Sequence, residues 1–311
     1  WLQGLVTPKG VVNPADNSLY HIHSLLQQSD GTVLVGSDAG LFVFHPDDQS
    51  VTPFPMPAVT PLLASVPALS PKFVYSMVND REGGLWFSTF YGGVFYVSPM
   101  GFRFRSLVSE TSPLLRGNIV SRFCEDHQHR IWVASDDGGV DCYDPSTGQM
   151  VDFAARGRLA KVNAHSFLLE GDDLLIGTYG QGILRMNTLT GAVSTVVGAP
   201  ASVYSLYRDS RGRLWVGAID GVFQADLAKG SFRRMQTTRS LTSDIVEDQK
   251  GNVWFATQED GLSRYDRQGR WRRYLPSAKG RMTLPVRQVS DLCVIHDGRV
   301  LVATPYGVYV W

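Results

Sequence analysis

The chain has little to offer covalent or membrane chemistry. Among 311 residues there are three cysteines, Cys124, Cys142 and Cys293. An odd number at irregular spacing builds neither a disulfide framework nor a zinc site. Cys124 and Cys142 are expected on the first and third strands of one repeat, roughly 9–10 Å apart, which is beyond disulfide reach. All three are expected as small core residues. No apolar run approaches the ~20 residues of a membrane span. The opening Trp1-Leu2-Gln3-Gly4 is not a basic stretch followed by an apolar core, so no signal peptide is read, and a start without Met suits a processed protein or an excised segment. Lys plus Arg equals Asp plus Glu, 29 each, leaving no net field to steer nucleic acid or an anionic membrane. Gly-x-Ser-x-Gly, a phosphate loop and a Rossmann fingerprint are missing, as is a basic stripe with interleaved aromatics.

What the chain does have is one phrase, seven times. Its fullest form is Asp248-Gln249-Lys250-Gly251-Asn252-Val253-Trp254-Phe255-Ala256-Thr257. The small residue before the final Ser/Thr position falls at Gly36, Ser88, Ala134, Gly177, Gly217, Ala256 and Ala303, at intervals of 52, 46, 43, 40, 39 and 47. That period is the ~40–50 residues of a propeller blade. Each repeat parses into four short strands joined by turn residues; in the third these are Val120 to Glu125, Ile131 to Ser135, Val140 to Tyr143 and Val151 to Phe153. The expected fold is all-β, a single seven-bladed propeller over 1–311 with four-stranded antiparallel blades starting near 21, 73, 119, 162, 202, 241 and 287. Residues 1–5 are expected to supply the missing outer strand of the last blade, which removes an open sheet edge. Residues 53–72, with six prolines, read as a long extended loop, and 275–287 as a second, polar excursion. Trp86, Trp132, Trp215 and Trp254 share one second-strand position and are expected between blades as core, not as sugar platforms.

Ligands of such discs bind where loops from several blades converge. The connections from strand two to strand three, together with the entries to the first strands, supply the candidate ligand-binding residues Tyr91, Asp137, Tyr179, Gln181, Asp220, Glu259, Tyr306, His165 and Arg287. Aromatics among amides and carboxylates suit a carbohydrate. The tyrosines stand out because turn geometry does not ask for a Tyr, whereas Asp and Asn are turn formers first. His21-x-His23 has no third ligand in view, and Asp136-Asp137 and Glu259-Asp260 lack the spacing of a calcium loop; no metal, cofactor or catalytic residue is expected.

The phrase resembles the two-component regulator propeller repeat. Ile131-Trp132-Val133-Ala134-Ser135-Asp136-Asp137-Gly138-Gly139-Val140, Gly84-Leu85-Trp86-Phe87-Ser88-Thr89-Phe90-Tyr91-Gly92-Gly93 and Leu175-Ile176-Gly177-Thr178-Tyr179-Gly180-Gln181-Gly182 carry the likeness. Leu34, Leu175 and Leu301 replace the Trp in repeats one, four and seven, and repeat four lacks a turn residue at Glu170-Gly171-Asp172-Asp173. Such repeats build the periplasmic sensor region of hybrid two-component histidine kinases of gut anaerobes, where two propellers precede an immunoglobulin-like domain. The resemblance implies a non-enzymatic, ligand-sensing or scaffold propeller cut from such a receptor, periplasmic and responding to polysaccharide-derived oligosaccharides. Its expected partners are the second propeller, the immunoglobulin-like domain and a homodimer mate, with no nucleic acid and no membrane contact. The alternatives are a propeller enzyme (glycosidase or lyase) and a protein-interaction platform.

Overall fold

The computed structural model describes residues 21–54, 73–90, 92–97, 104–107 as backbone, 115–136, 138–236, 240–276, 284 and 286–311. Seven antiparallel sheets follow one another along the chain, each a meander of consecutive strands, and the fold is an all-β seven-bladed propeller. Six sheets have four strands. Among the described residues the seventh has three, Asp291–Val294, Val300–Thr304 and Gly307–Val310. The strand expected from residues 1–5 lies outside the described residues, as do residues 55–72 of the proline-rich loop. Packing gathers the chain into two compact units: Pro55–Val203 holds blades two to four, and Trp1–Phe54 with Tyr204–Trp311 holds blades one and five to seven.

Second strands such as Ile131–Ser135 and Val253–Thr257 are buried at every position, because both faces are covered. The four tryptophans are core, and each reaches into the following blade. Trp86 packs with Val120, Ile131 and Val133, and Trp132 with Ala164, Leu174 and Ile176. Trp215 meets Ile245, Val253 and Phe255, while Trp254 meets Leu292, Val300 and Val302. Leu301 fills the corresponding place between blade seven and blade one.

Each indole is held from its own hairpin. Its Nε1 donates to an aspartate six residues earlier: Trp86 to Asp80 at 2.8 Å, Trp132 to Asp126 at 2.8 Å, Trp215 to Asp209 at 2.7 Å and Trp254 to Asp248 at 2.8 Å. The other oxygen of the same carboxylate closes the turn between strands one and two. Asp209 Oδ1 accepts the Arg211 and Arg213 amides at 3.0 and 2.9 Å, and its Oδ2 also takes Arg213 Nε at 2.6 Å. Burial alone would raise the Asp209 carboxyl, but the hydrogen bonds from Trp215 and Arg213 and the Arg213 charge outweigh it and hold it below the usual range.

Serines on the first strands tie sheet to sheet. Ser121 Oγ donates to Ala164 O at 2.6 Å, Ser205 to Thr242 O at 3.0 Å, Ser243 to Val289 O at 2.8 Å and Ser290 to Ile22 O at 2.6 Å. Asp244 and Asp291, next to two of these serines, accept the amides of Leu292 and Leu25 in the following blades at 3.1 and 2.7 Å.

The expectation fails in one place. Blade three's fourth strand is Gln149–Met150 rather than Val151 to Phe153, and a helical turn, Arg156–Leu159, follows it. Buried Asp141 causes the departure. It accepts from Arg116 N and Nε, both at 3.0 Å, and from Arg156 Nε at 3.4 Å, while Arg116 Nη1 donates to Arg156 O at 2.6 Å. Leu159 then caps the Trp132 cluster.

Removing the carboxylate of Asp209 leaves an indole N–H and a guanidinium buried without their acceptor. Asp209→Ala is expected to cost about 3–5 kcal/mol in urea unfolding. A double-mutant cycle with Trp215→Phe is expected to show about 1–2 kcal/mol of coupling. Strict additivity would show that the indole bond contributes nothing.

Candidate functional site

In a meander, the strand two-to-three connections all fall at one end of the sheets. The Ser or Thr that closes the recurring phrase shapes them. Thr178 Oγ1 donates to Gly182 O at 2.9 Å and accepts Gln181 N at 3.2 Å. Thr257 does the same with Gly261 O at 2.7 Å and Asp260 N at 3.0 Å, and Thr304 with Gly307 O at 2.9 Å and Tyr306 N at 3.2 Å. A buried hydroxyl thus supplies the partners that the loop backbone has lost to the turn. The residues between are left facing outward, and Tyr179 and Tyr306 are 53% and 50% exposed. Blade five has Ala218 at this place and makes the two-residue turn Ile219-Asp220 without a hydroxyl, Ala218 pairing with Gly221 as Thr304 pairs with Gly307.

In the unit holding blades two to four, parts of three segments come together. His165 Nδ1 lies 3.5 Å from Asp136 Oδ1. The Asn163 carbonyl accepts the Tyr179 amide at 2.9 Å, and Gly180 N donates to Ser202 Oγ at 3.2 Å. His165 occupies a bulge between Ala164 and Ser166, where an extra residue re-aims a side chain. Burial, then the Arg122 charge, pushes the His165 imidazole down to about 4, so it is neutral at pH 7. Asn163 Oδ1 is buried with no hydrogen-bond partner among the described residues. A neutral imidazole, a carboxylate, an amide and an exposed phenol ring form a set that exchanges hydrogen bonds with hydroxyl groups and offers a face for stacking. Gln181 is exposed in the same loop.

The other unit distributes its candidates. His23 Nε2 meets Asp38 Oδ1 at 2.5 Å. Burial would raise the Asp38 carboxyl, but the His23 hydrogen bond and the His23 and His21 charges hold it low. Asp220 is paired with Arg234 of its own blade at 2.5 Å. Glu259 is exposed, and its amide donates to Ser240 Oγ at 2.7 Å. Arg287 is exposed, and its carbonyl accepts Gly261 N at 2.8 Å. Tyr91 and Asp137 lie outside the described residues. Of the expected set, the geometry therefore groups His165, Tyr179 and Gln181, ties Arg287 to the Glu259 loop through Gly261, and leaves Asp220 and Tyr306 each on its own loop.

Sequence reasoning passed over Ser202 and the hydroxyl staples, although the recurrence of Ser/Thr after the small residue was the available signal. Among the described residues, no three His, Cys, Asp or Glu side chains could hold a metal. All three cysteines are free thiols. Burial, followed by the Asp126 and Glu125 charges, pushes Cys124 up to about 12, which leaves it inert as a nucleophile.

With the blade geometry and its closing phrase in view, the comparison with known families becomes specific. The model of the two-component regulator propeller matches residues 68–91, 114–137 and 198–220. These three segments match the two-component regulator propeller repeat. Its fold is similar to the extracellular domain of a hybrid two-component system from B. thetaiotaomicron, with a TM-score of 0.79 and 16% identity over 93% of this chain and 40% of that one. A second such extracellular domain from B. thetaiotaomicron gives a TM-score of 0.73 at 16% identity, over 96% of this chain and 39% of that one. A streptogramin B lyase gives 0.67 at 14% identity, covering 93% of this chain and 92% of the lyase. At such identities the likeness is one of fold. The chain spans about two fifths of the length of the two extracellular domains. A search of curated protein sequences finds no match.

The His165 imidazole binds its proton near 6.5 when unfolded and near 4 when folded. Protons therefore favour the unfolded chain between those values. Stability is complete above pH 6.5 and falls as the pH drops towards 4, by on the order of 1–3 kcal/mol. Denaturation at pH 7, 5.5 and 4 is expected to show this slope, and His165→Asn to flatten it.

Proposed function

We propose that the chain is a ligand-sensing propeller of the periplasmic region of a hybrid two-component sensor histidine kinase, responding to an oligosaccharide released from a polysaccharide. The observation that carries this reading is the group at the end of blades three and four. There an exposed Tyr179 ring, which no turn rule explains, stands in the loop next to neutral His165, Asp136 and Asn163. Sugars present hydroxyls that both donate and accept, and C–H faces that stack on aromatic rings, which is what this group complements. Glycoside hydrolysis asks for two carboxylates flanking the bond. Here Asp136 is the one carboxylate of the group among the described residues, which favours binding over turnover.

An extracytoplasmic place is supported by the extracellular domains that share the fold. Among the described residues no helix is long and apolar enough to cross a membrane. Signalling requires the sugar to discriminate between two arrangements of the parent receptor, in which a second propeller, an immunoglobulin-like domain and a dimer mate are the partners. The lyase fold makes bond cleavage the second reading to be tested.

Calorimetric screening of plant and host oligosaccharides against the chain and the whole sensor region tests the proposal. A binding sugar is expected to lose about tenfold in affinity with Tyr179→Ala, the worth of one stacked ring. Undiminished binding by that variant removes the site from blades three and four. Turnover of the bound sugar replaces the sensor by an enzyme.

A further inference from the structure

At the other end of blades five and six, three turns meet, at 209–212, 248–251 and 266–269. Their carboxylates are all engaged. Asp209 is held by Arg213 and Trp215, Asp248 by Asn252 and Trp254, and Asp266 by Arg270. Glu247 accepts Ser210 N at 2.6 Å and Ser210 Oγ at 2.7 Å. The cations of the same turns are left over. Arg211, Lys250 and Arg267 are exposed, and among the described residues none of them pairs with a carboxylate. Counting Arg211, Arg213, Lys250, Arg267 and Arg270 against Asp209, Glu247, Asp248 and Asp266 leaves one positive charge in excess, and the three exposed cations are the ones not bound to a carboxylate.

The fold places these three groups. Arg211 and Lys250 occupy equivalent positions in adjacent blades, two residues after the buried aspartate, whose Oδ1 accepts their amides at 3.0 and 2.9 Å. Arg211 Nη1 donates to the Arg267 carbonyl at 3.2 Å. The Arg267 guanidinium lies flat against Gly251, the residue after Lys250; a methyl group there would stand 2.4 Å from its Nε. Gly251 also has φ +73°, so the turn and the close approach both require glycine. The blade-six turn is tied to blade seven by Gln249 Nε2, which donates to His296 O at 2.6 Å, and to blade five by the Ser210–Glu247 bonds. Three exposed cations therefore stand on adjoining turns with no carboxylate bound to them directly, and an anion held among them needs no reorganisation of the turns.

We propose that Arg211, Lys250 and Arg267 form a binding site for a tetrahedral oxyanion, sulfate or phosphate, supplied free or as an ester on a longer molecule. Forked guanidinium donors with an ammonium beside them match several oxygens of one such group. Three exposed cations give a dissociation constant of roughly millimolar for the free ion.

Calorimetry and thermal melting with sodium sulfate, against sodium chloride at matched ionic strength, test the site. Sulfate is expected to raise the melting temperature of the wild-type chain above its value in chloride. Arg211→Gln combined with Lys250→Gln is expected to weaken sulfate binding about tenfold or more and to remove the difference in melting temperature between sulfate and chloride. Arg267→Gln provides a second variant, expected to weaken binding in the same direction. A sulfated oligosaccharide that binds far more tightly than inorganic sulfate, and loses that advantage on desulfation, supports the site with the ester as its source. Equal affinity per sulfate group supports the site with the free ion. Equal effects of sulfate and chloride overturn the site, and so does sulfate binding that the variants leave intact. Binding of an oligoglutamate peptide that sulfate does not displace also overturns it, in favour of an acidic protein partner.

Discussion

A buried aspartate that holds a tryptophan six residues later is the contact on which these blades depend. Burying a carboxylate costs several kcal/mol unless donors surround it. Here two backbone amides of the turn, the indole N–H and, in two blades, the guanidinium of Arg130 or Arg213 do so. The arrangement closes the first hairpin, satisfies the indole and aims its apolar body at the next sheet. The two residues also come and go together within this one chain. Where Leu34, Leu175 and Leu301 replace the tryptophan, the residue six positions earlier is Gln28, Leu169 or Ile295. Tryptophan without aspartate would bury a bare N–H, and aspartate without tryptophan would lose one of its donors.

With that contact in place, the sheets need only short side chains to lock to one another. The serines of the first strands donate to carbonyls of the following blade, and Asp244 and Asp291 receive amides there. These bonds run from one first strand to the next, where a single misplaced strand would break several of them. The same economy appears at the loop ends, where one hydroxyl from Thr178, Thr257 or Thr304 holds the loop backbone. Because hydroxyl and glycine fix the loop, the side chains between them are free to differ. That freedom explains why Tyr179, Glu259 and Tyr306 follow the same staple with unrelated chemistry.

Local rules made much of this legible beforehand. The number of repeats, the strand order, the buried tryptophans and the unpaired cysteines follow from period and from turn residues, and all of these act within one hairpin. The rest depends on contacts distant in sequence. The helical turn Arg156–Leu159 exists because Asp141 gathers Arg116 and Arg156, which lie 25 residues before it and 15 after it. No motif in the strand pattern announces that triad. Nor could the loops be sorted from sequence. Asp220 looks as available as Glu259 until Arg234 is found beside it, and the downward shift of His165 comes first from its burial and then from Arg122, neither of which the strand pattern announces.

That neutrality sharpens the functional reading. Holding an imidazole far below its ordinary range makes the fold less stable in acid, and a residue of another type at this bulge would avoid the penalty. Other bulged first strands carry His23, Tyr75, Ser121 and Ser243 at the corresponding place, so the backbone does not demand histidine there. What histidine alone provides, once neutral, is a donor and an acceptor on one rigid ring, next to the Asp136 carboxylate and within reach of the Tyr179 loop. A neutral imidazole donates through one ring nitrogen and accepts through the other, whereas a charged imidazole would offer donors only. The destabilising burial of His165 accords with the proposed site at the end of blades three and four, where a neutral imidazole would suit a polar, uncharged ligand.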